Sequence, residues 1–270
     1  MPRAGIVTLL TDFGSADPYV GIMKGVILAR ARDAAIVDLT HEIPPQQVLL
    51  GALALRSAVR FFPAGTIHVA VVDPGVGSER RALAIASGGQ VFLGPDNGLL
   101  TLAAARNQRE QVRVLANRSL FLHPVSNTFH GRDIFAAVAG HLLAGVDFSE
   151  LGPEVQDPIE LDLPRPAPAG SALVGRVLYV DRFGNLITNF DAASLAHFAP
   201  ERLWFRIRNS WIHGLVPTYA SLPAGGLGAL FGSWELVEIA QRNGNAQRLL
   251  QAGVGDEVVA TERDAHATGN

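Results

Sequence analysis

The 270-residue sequence contains no cysteine, which excludes a disulfide framework, thiol catalysis and thiolate metal sites and fits a cytoplasmic protein. It has no run approaching the ~18 apolar residues of a membrane span, so no membrane partner is expected. Arg3 and the short apolar run Ala4 to Leu10 superficially resemble a signal segment. Thr11-Asp12 follows, however, in place of small residues flanking a cleavage site, and the run is read as a first strand. Charge of one sign is also lacking: 22 Lys+Arg stand against 25 Asp+Glu, a net charge of -3. The basic residues are scattered, so there is no footprint for nucleic acid. No two histidines have the H-E-x-x-H spacing of a metal site, and none is expected. Gly226-Leu227-Gly228 has neither the spacing nor the strand-to-helix setting of a dinucleotide loop, and there is no P-loop.

What is present is a compact globular composition, 48% hydrophobic and 17% charged, with room for one large or two modest domains. Thr66 to Val72 is a short, β-branched-rich apolar run stopped by Pro74 and Gly75, the pattern of a buried strand. Asp73 stands where that strand ends, and ligands of open α/β sheets bind beyond the carboxyl ends of strands. Alone, Asp73-Pro74-Gly75 reads first as turn chemistry. Ile6 to Leu10 is a second strand ending at an acid, Asp12. Asp17-Pro18 then opens a helix, with Asp as cap and Pro at the first helical position. Ile36 to Leu39 (strand) and Gln46 to Phe62 (helix) continue the alternation, which predicts a mostly parallel sheet flanked by helices. Ala82 to Ala86 and Val91 to Leu93 read as a hairpin, Leu99 to Ala105 as a short helix, and Ile134 to Val146 as a longer one.

His130 stands at the entrance of that last helix, where the helix N-terminus favours a neutral imidazole; alone it reads as a capping or packing residue. His41, His68, His123, His141, His197, His213 and His266 have the same ordinary reading. Composition shifts at Leu163 to Ala172, a Pro/Ala/Gly-rich stretch typical of a linker. Beyond it come short β segments, Val174 to Val180, Leu186 to Phe190, Leu203 to Ile207, Leu236 to Ala240 and Glu257 to Ala260, the signature of a small barrel or sandwich. The expected organisation is an α/β domain over 1–163, a linker over 164–173, a β-barrel over 174–260 and a flexible tail over 261–270.

Several motifs occur in fixed order: TDFG around Asp12, DLTHEIPP (Asp38 to Pro45), FFPAGTIHVAVVDPGVGSERR (Phe61 to Arg81), GPDNG (Gly94 to Gly98), NTFHGRD (Asn127 to Asp133) and DRFGNLITN (Asp181 to Asn189). Together, over about Ile6 to Val259, they resemble the S-adenosyl-L-methionine hydroxide adenosyltransferases, relatives of the fluorinating and chlorinating enzymes that attack the same sulfonium compound. The resemblance implies an N-terminal α/β domain, a smaller C-terminal β-barrel, and a homotrimer with sites between one subunit's N-domain and a neighbour's C-domain. It implies S-adenosylmethionine as substrate, no further cofactor, and adenosine plus L-methionine as products of water or hydroxide attack at C5′. Asp73, Arg80 and His130 fall on the family's hydrolytic positions, and Arg81 would be structural. Asp12 resembles the carboxylate that accepts the ribose hydroxyls, and Phe129 the ring beside the nucleophile. Asp181 and Ser233 resemble the residues holding the methionine end, and Asn185 the one reading the adenine edge. The ordinary alternative for each is local structure: a turn acid, a hairpin amide, a solvated serine.

The chemistry agrees with that pattern. Water is a weak nucleophile, so a carboxylate or imidazole must hold or take its proton, and either Asp73 or His130 can do so. Arg80 can orient Asp73 through charge-assisted pairing. The leaving group is a neutral thioether and needs no general acid. Two positions depart from the relatives: Gln46 replaces an aromatic residue, and Trp234 follows Ser233 where halogenating relatives carry a basic one. A halogenase is disfavoured because an acid beside the nucleophile repels halide. A non-catalytic binder of adenosine or S-adenosylmethionine is the rival of another class, and a methyltransferase would need a glycine-rich loop that TDFG does not supply.

Overall fold

The computed structural model describes residues 5–263, so His266 and the expected tail from residue 264 lie outside it. The chain divides into two compact units, one up to Asp162 and one from Leu163.

The first unit is built on a six-stranded sheet. Strands β1 (Ile6–Thr11), β2 (Ala35–Thr40) and β3 (Ile67–Val71) run parallel and are joined by helices α1 (Tyr19–Leu28) and α2 (Val48–Val59). With β4 (Ala82–Ser87), β5 (Gln90–Pro95) and β6 (Arg109–Val114) the order is β2-β1-β3-β5-β4-β6. β5 is parallel to β3, whereas β4 is antiparallel to both β5 and β6. Every residue of β3 is buried, as expected for a strand covered on both faces. Val7, Leu9, Val69 and Val71 meet Met23 and Ile27 of α1 and Phe135 on one face. On the other, Gly51 of α2 sits so close to Leu10, Val72 and Leu99 that a Cβ would meet Leu99 Cδ1 at 2.8 Å. The β4–β5 turn places Gly88 and Gly89 at φ 57° and 76°, the left-handed pair a tight hairpin requires.

The second unit is an antiparallel sheet that curls into a nearly closed barrel. β7 (Ala167–Ala169), β8 (Ala172–Val180), β9 (Leu186–Asp191), β10 (Leu203–Ile207), β11 (Ser210–His213), β12 (Leu227–Phe231), β13 (Leu236–Gln241) and β14 (Glu257–Glu262) form it. The order is β11-β10-β14-β8-β9-β13-β12, with β7 on the edge of β8 and the end strands β11 and β12 approaching each other. Its core holds Phe190 and Phe205 edge to face at 5.9 Å. Burial of each such ring contributes roughly 1.5–3 kcal/mol.

Several local expectations are corrected. Leu99 to Ala105 forms successive turns and no helix, because Asn97 Oδ1 accepts from Leu99 N at 3.1 Å and diverts the chain into a side-chain-capped bend. The helix expected from Ile134 begins earlier, as a π-helical turn over Gly131–Ala136, and continues as α3 (Ala137–Ala144). It stops at Gly145, at φ 118°, so Val146 is outside it. Pro18 occupies the cap position of α1, one residue later than Asp17. β6 escaped sequence reading because REQVRV is charged, as edge strands often are. The expected linker carries β7 and the start of β8, and β14 reaches two residues into the expected tail.

Candidate active site

The sheet order reverses at β1: the next strand, β2, lies on one side of it and β3 on the other. Thr11 and Val71 are register partners, so Asp12 and Asp73 emerge from the carboxyl ends of adjacent parallel strands. That crevice is where open α/β sheets bind ligands. A cavity of about 320 Å³ opens there, lined by Asp12, Phe13, Gln46, Asp73, Phe129 and His130 among others.

Asp73, Arg80 and His130 are brought into one hydrogen-bonded group. Arg80 Nε donates to Asp73 Oδ1 at 2.9 Å, and Nη2 donates to Asp73 Oδ2 in a short contact. The same Nη2 lies 2.7 Å from His130 Nδ1. The guanidinium has only donors, so Nδ1 is the acceptor and the ring proton sits on Nε2. The Arg80 and Asp73 side chains are only 10% and 5% exposed. Buried charges of this kind persist when paired and fully bonded, and each N–H of Nη2 has its own acceptor here. Arg80 also lies 5.7 Å over the Phe135 ring. The His130 imidazole is held below its ordinary pKa of 6.5, first by burial and then by the Arg80 charge, against opposing pulls from Asp73 and Asp133. The neutral ring expected from a helix entrance is therefore produced chiefly by desolvation.

His130 enters the π-helical turn, a geometry common at functional sites. Asp133, fully buried, accepts from Ser126 N at 2.8 Å and from Arg132, and so fixes the loop that carries Asn127, Phe129 and His130. Phe129 packs edge to face with Phe13 at 6.0 Å and with Tyr19 at 5.3 Å, and Arg132 covers it at 5.0 Å. Gly77, at φ 79°, lets the loop after β3 press against Asn127, whose carbonyl oxygen would collide with any Cβ there. Asp12 is half-buried, and its Oδ2 accepts from Gln46 N at 2.8 Å. Gln46 itself is left-handed at φ 65°. Arg81 turns away to Asp96 and Asp157 at 2.7 and 2.8 Å, a pairing that ties loops together.

Asp181, Asn185 and Ser233 lie in the second unit. Asp181 Oδ1 accepts from Phe183 N and Asn185 N at 2.9 and 2.8 Å, and its Oδ2 accepts from Asn185 Nδ2 at 2.9 Å. The two residues are thus joined, and the local turn role foreseen as the ordinary alternative is present. Ser233 is exposed in the turn between β12 and β13, which Glu235 N closes onto Gly232 O at 3.0 Å. Next to it Trp234 stacks on Tyr179 with planes 3° apart.

Three features escaped sequence reading. Glu238, buried in β13, accepts from Tyr219 Oη, and lies directly against Gly232. Burial first, and then Asp181, raise its pKa against the Tyr219 bond. The short apolar segment Leu236 to Ala240 read as a strand without a reason for an acid on the inside. Gly77 was one glycine of a turn, and His41 one ordinary histidine among several.

Comparison with known proteins adds an independent line. The family model for the SAM hydroxide adenosyltransferase N-terminal domain matches residues 7–152, and that for the C-terminal domain matches residues 175–259. An (R)-S-adenosyl-L-methionine hydrolase of Thermus thermophilus is 39% identical over 254 residues, 90% of this chain and 94% of that protein. A fluorinase of an Actinoplanes species is 28% identical, over 72% of this chain and 75% of its own. The crystal structure of an uncharacterised conserved protein from Thermotoga maritima superposes with a TM-score of 0.86 at 33% identity, covering 95% of this chain and all of its own.

Proposed function

The chain belongs to the SAM hydroxide adenosyltransferase family, an enzyme that hydrolyses S-adenosyl-L-methionine, and on that premise we propose how its own residues carry the reaction. The observation that carries the proposal is the fork of Arg80, one nitrogen of which serves both Asp73 and His130.

Water attacks C5′ of the ribose in line with the sulfonium. The new O–C5′ bond forms as the C5′–S bond breaks, the electron pair returns to sulfur, and methionine departs as a neutral thioether. The proton leaves the attacking water. With Nδ1 of His130 occupied by Arg80, the imidazole presents Nε2–H, a donor. Asp73 is then the acceptor, and His130 orients the water by donating to its oxygen. Arg80 holds both partners in register, and such placement is the larger part of the rate gain available to a reaction with little covalent work for the protein. The products are adenosine and L-methionine.

Asp12 accepts the ribose hydroxyls and Phe129 walls the nucleophile's side of the cavity. Asp181 and Ser233 serve the methionine end and Asn185 the adenine edge. The family resemblance supports these five assignments and the assembly as a homotrimer. No further cofactor is required by this scheme, because the sulfonium itself is the activated leaving group.

The test is incubation with S-adenosylmethionine in heavy-oxygen water, with and without chloride, and product analysis by chromatography and mass spectrometry. Labelled adenosine without halide is the expected result. Halide-dependent 5′-halo-adenosine would assign the chain to the halogenating branch, and tight retention without turnover would make it a binding protein.

A further inference from the structure

We propose that His41 is a positioning residue for substrate binding, holding the Thr11–Gly14 loop that presents Asp12 to the ribose. The inference rests on the reading of Asp12 given above. The geometry is a set of ties between the loop after β1 and the segment after β2. Thr11 ends β1 fully buried, and its Oγ1 lies 2.9 Å from His41 Nδ1 while accepting from Phe13 N at 3.2 Å. At the far end of the same loop, Gly14 N donates to the His41 carbonyl at 2.8 Å. One residue therefore grips both ends of a four-residue loop, with its side chain at one end and its backbone at the other.

The polarity of the chain follows from the donors available. Asp38 Oδ1 can only accept, which favours the ring proton on the nitrogen facing it; Nδ1 then accepts the Thr11 Oγ1 proton while the same oxygen receives the Phe13 N–H. The ring proton is thus on Nε2, which faces Asp38 Oδ1 at 3.0 Å. This last contact is electrostatic and lies off the line of a good hydrogen bond. Asp38 is anchored in turn by Lys24 Nζ of α1 at 2.6 Å. Asp38 of β2 is the charged group against the ring, and Lys24 of α1 bears on it through Asp38.

Two further ties act in parallel. Ser15 Oγ donates to Glu42 Oε1 at 2.9 Å, and Gln46 N donates to Asp12 Oδ2 at 2.8 Å. The segment from His41 to Gln46 thus sets both the backbone of the Asp12 loop and one oxygen of its carboxylate. Asp12 would grip the ribose equally before and during reaction, and such uniform binding appears in KM and leaves kcat alone. His41 acts on binding through Asp12 and is remote from the Asp73–Arg80–His130 group in its hydrogen bonding.

The test uses the full chain and four variants: His41→Ala, Thr11→Val, Thr11→Ser and the His41→Ala/Thr11→Val double. Loss of one well-placed hydrogen bond predicts a rise of about 5- to 10-fold in KM for S-adenosylmethionine, and in Kd for adenosine by calorimetry, with kcat changed by less than about twofold. Thr11→Ser, which keeps the hydroxyl, should restore wild-type values. The double variant should be no worse than Thr11→Val alone, which already removes the His41 tie together with the acceptor of Phe13 N. Thr11→Val is nearly isosteric and carries the test if His41→Ala does not fold. Unchanged KM in Thr11→Val, equal losses in Thr11→Ser and Thr11→Val, or a fall in kcat with KM intact would overturn the inference. Failure of the wild-type protein to hydrolyse S-adenosylmethionine would instead overturn the functional reading on which it rests.

Discussion

Gly77→Ala tests whether the two loops that carry the reactive group must be held in contact. At φ 79° the residue lies in the left-handed region, and a Cβ built there would intrude on Asn127 O, with Asn127 C at 3.5 Å. The backbone strain costs about 1–2 kcal/mol for a residue with a Cβ, which lowers Tm by roughly 2–8 °C in a domain of this size. The collision adds a displacement: the carbonyl must retreat by roughly 0.5–1 Å to reach ordinary contact. Asn127 is three residues before His130, and Gly77 three before Arg80, so the retreat separates the partners of the 2.7 Å Arg80–His130 bond. Misplacement on the order of 1 Å costs about 10²-fold in rate. Gly77→Ala should therefore lose about 10- to 100-fold in kcat with KM little changed. Gly5→Ala is the control, at φ 68° with nothing among the described residues within 4 Å of its Cβ: it should show the same fall in Tm and full kcat. Steady-state kinetics and thermal denaturation of both variants decide the matter. If Gly77→Ala kept kcat within about threefold of wild type, loop contact would not be what aligns the group.

Asp73→Asn should lower kcat by about 10²–10⁴-fold with KM nearly constant, and a variant that lost affinity in equal measure would refute the role of proton acceptor. Because His130 is held below 6.5 by burial and Arg80, the acid limb of kcat/KM should have its midpoint below that value; a limb at or above it would show the ring titrating freely. His68 is fully buried against Phe62 and Phe92, bonded to Thr8 Oγ1 at 2.7 Å, and burial lowers its pKa from 6.5 to about 4. Its neutral form is the one the folded state prefers, so this contribution is complete above pH 6.5 and is lost as pH falls toward 4. The loss amounts to roughly 3 kcal/mol. Urea denaturation between pH 7 and 4 should show that slope in the wild type and a shallower one in His68→Phe.

The α/β class, the parallel arrangement of the first strands and the β-rich second half were all legible in the sequence, because apolar runs of strand length bounded by Gly, Pro and acids are local signals. The short helix at Leu99 and the start of the helix after His130 were misread where a side chain competes with the backbone: Asn97 caps a bend, and the segment after His130 adopts a wider π-helical turn. β6 and β12 were missed because a charged edge strand and a glycine-containing strand carry no clean alternation.

The same division holds for the site. The residue types were determined by the sequence alone: an acid at each of two strand ends, an arginine seven residues past the second, and a histidine at a helix entrance. Their fixed order within longer motifs carried the family resemblance. Only the tertiary structure decided that β1 and β3 are neighbours, so that Asp12 and Asp73 share one crevice. It alone showed one Arg80 nitrogen bonded to both Asp73 and His130, which fixes the imidazole tautomer. It also set Glu238 inside the barrel wall against Gly232, and made His41 a clamp on both ends of a loop. The physical reason is range. Strand length, caps and turns are written in neighbouring residues, whereas a hydrogen bond between positions fifty residues apart depends on strand order and register, which no local pattern encodes.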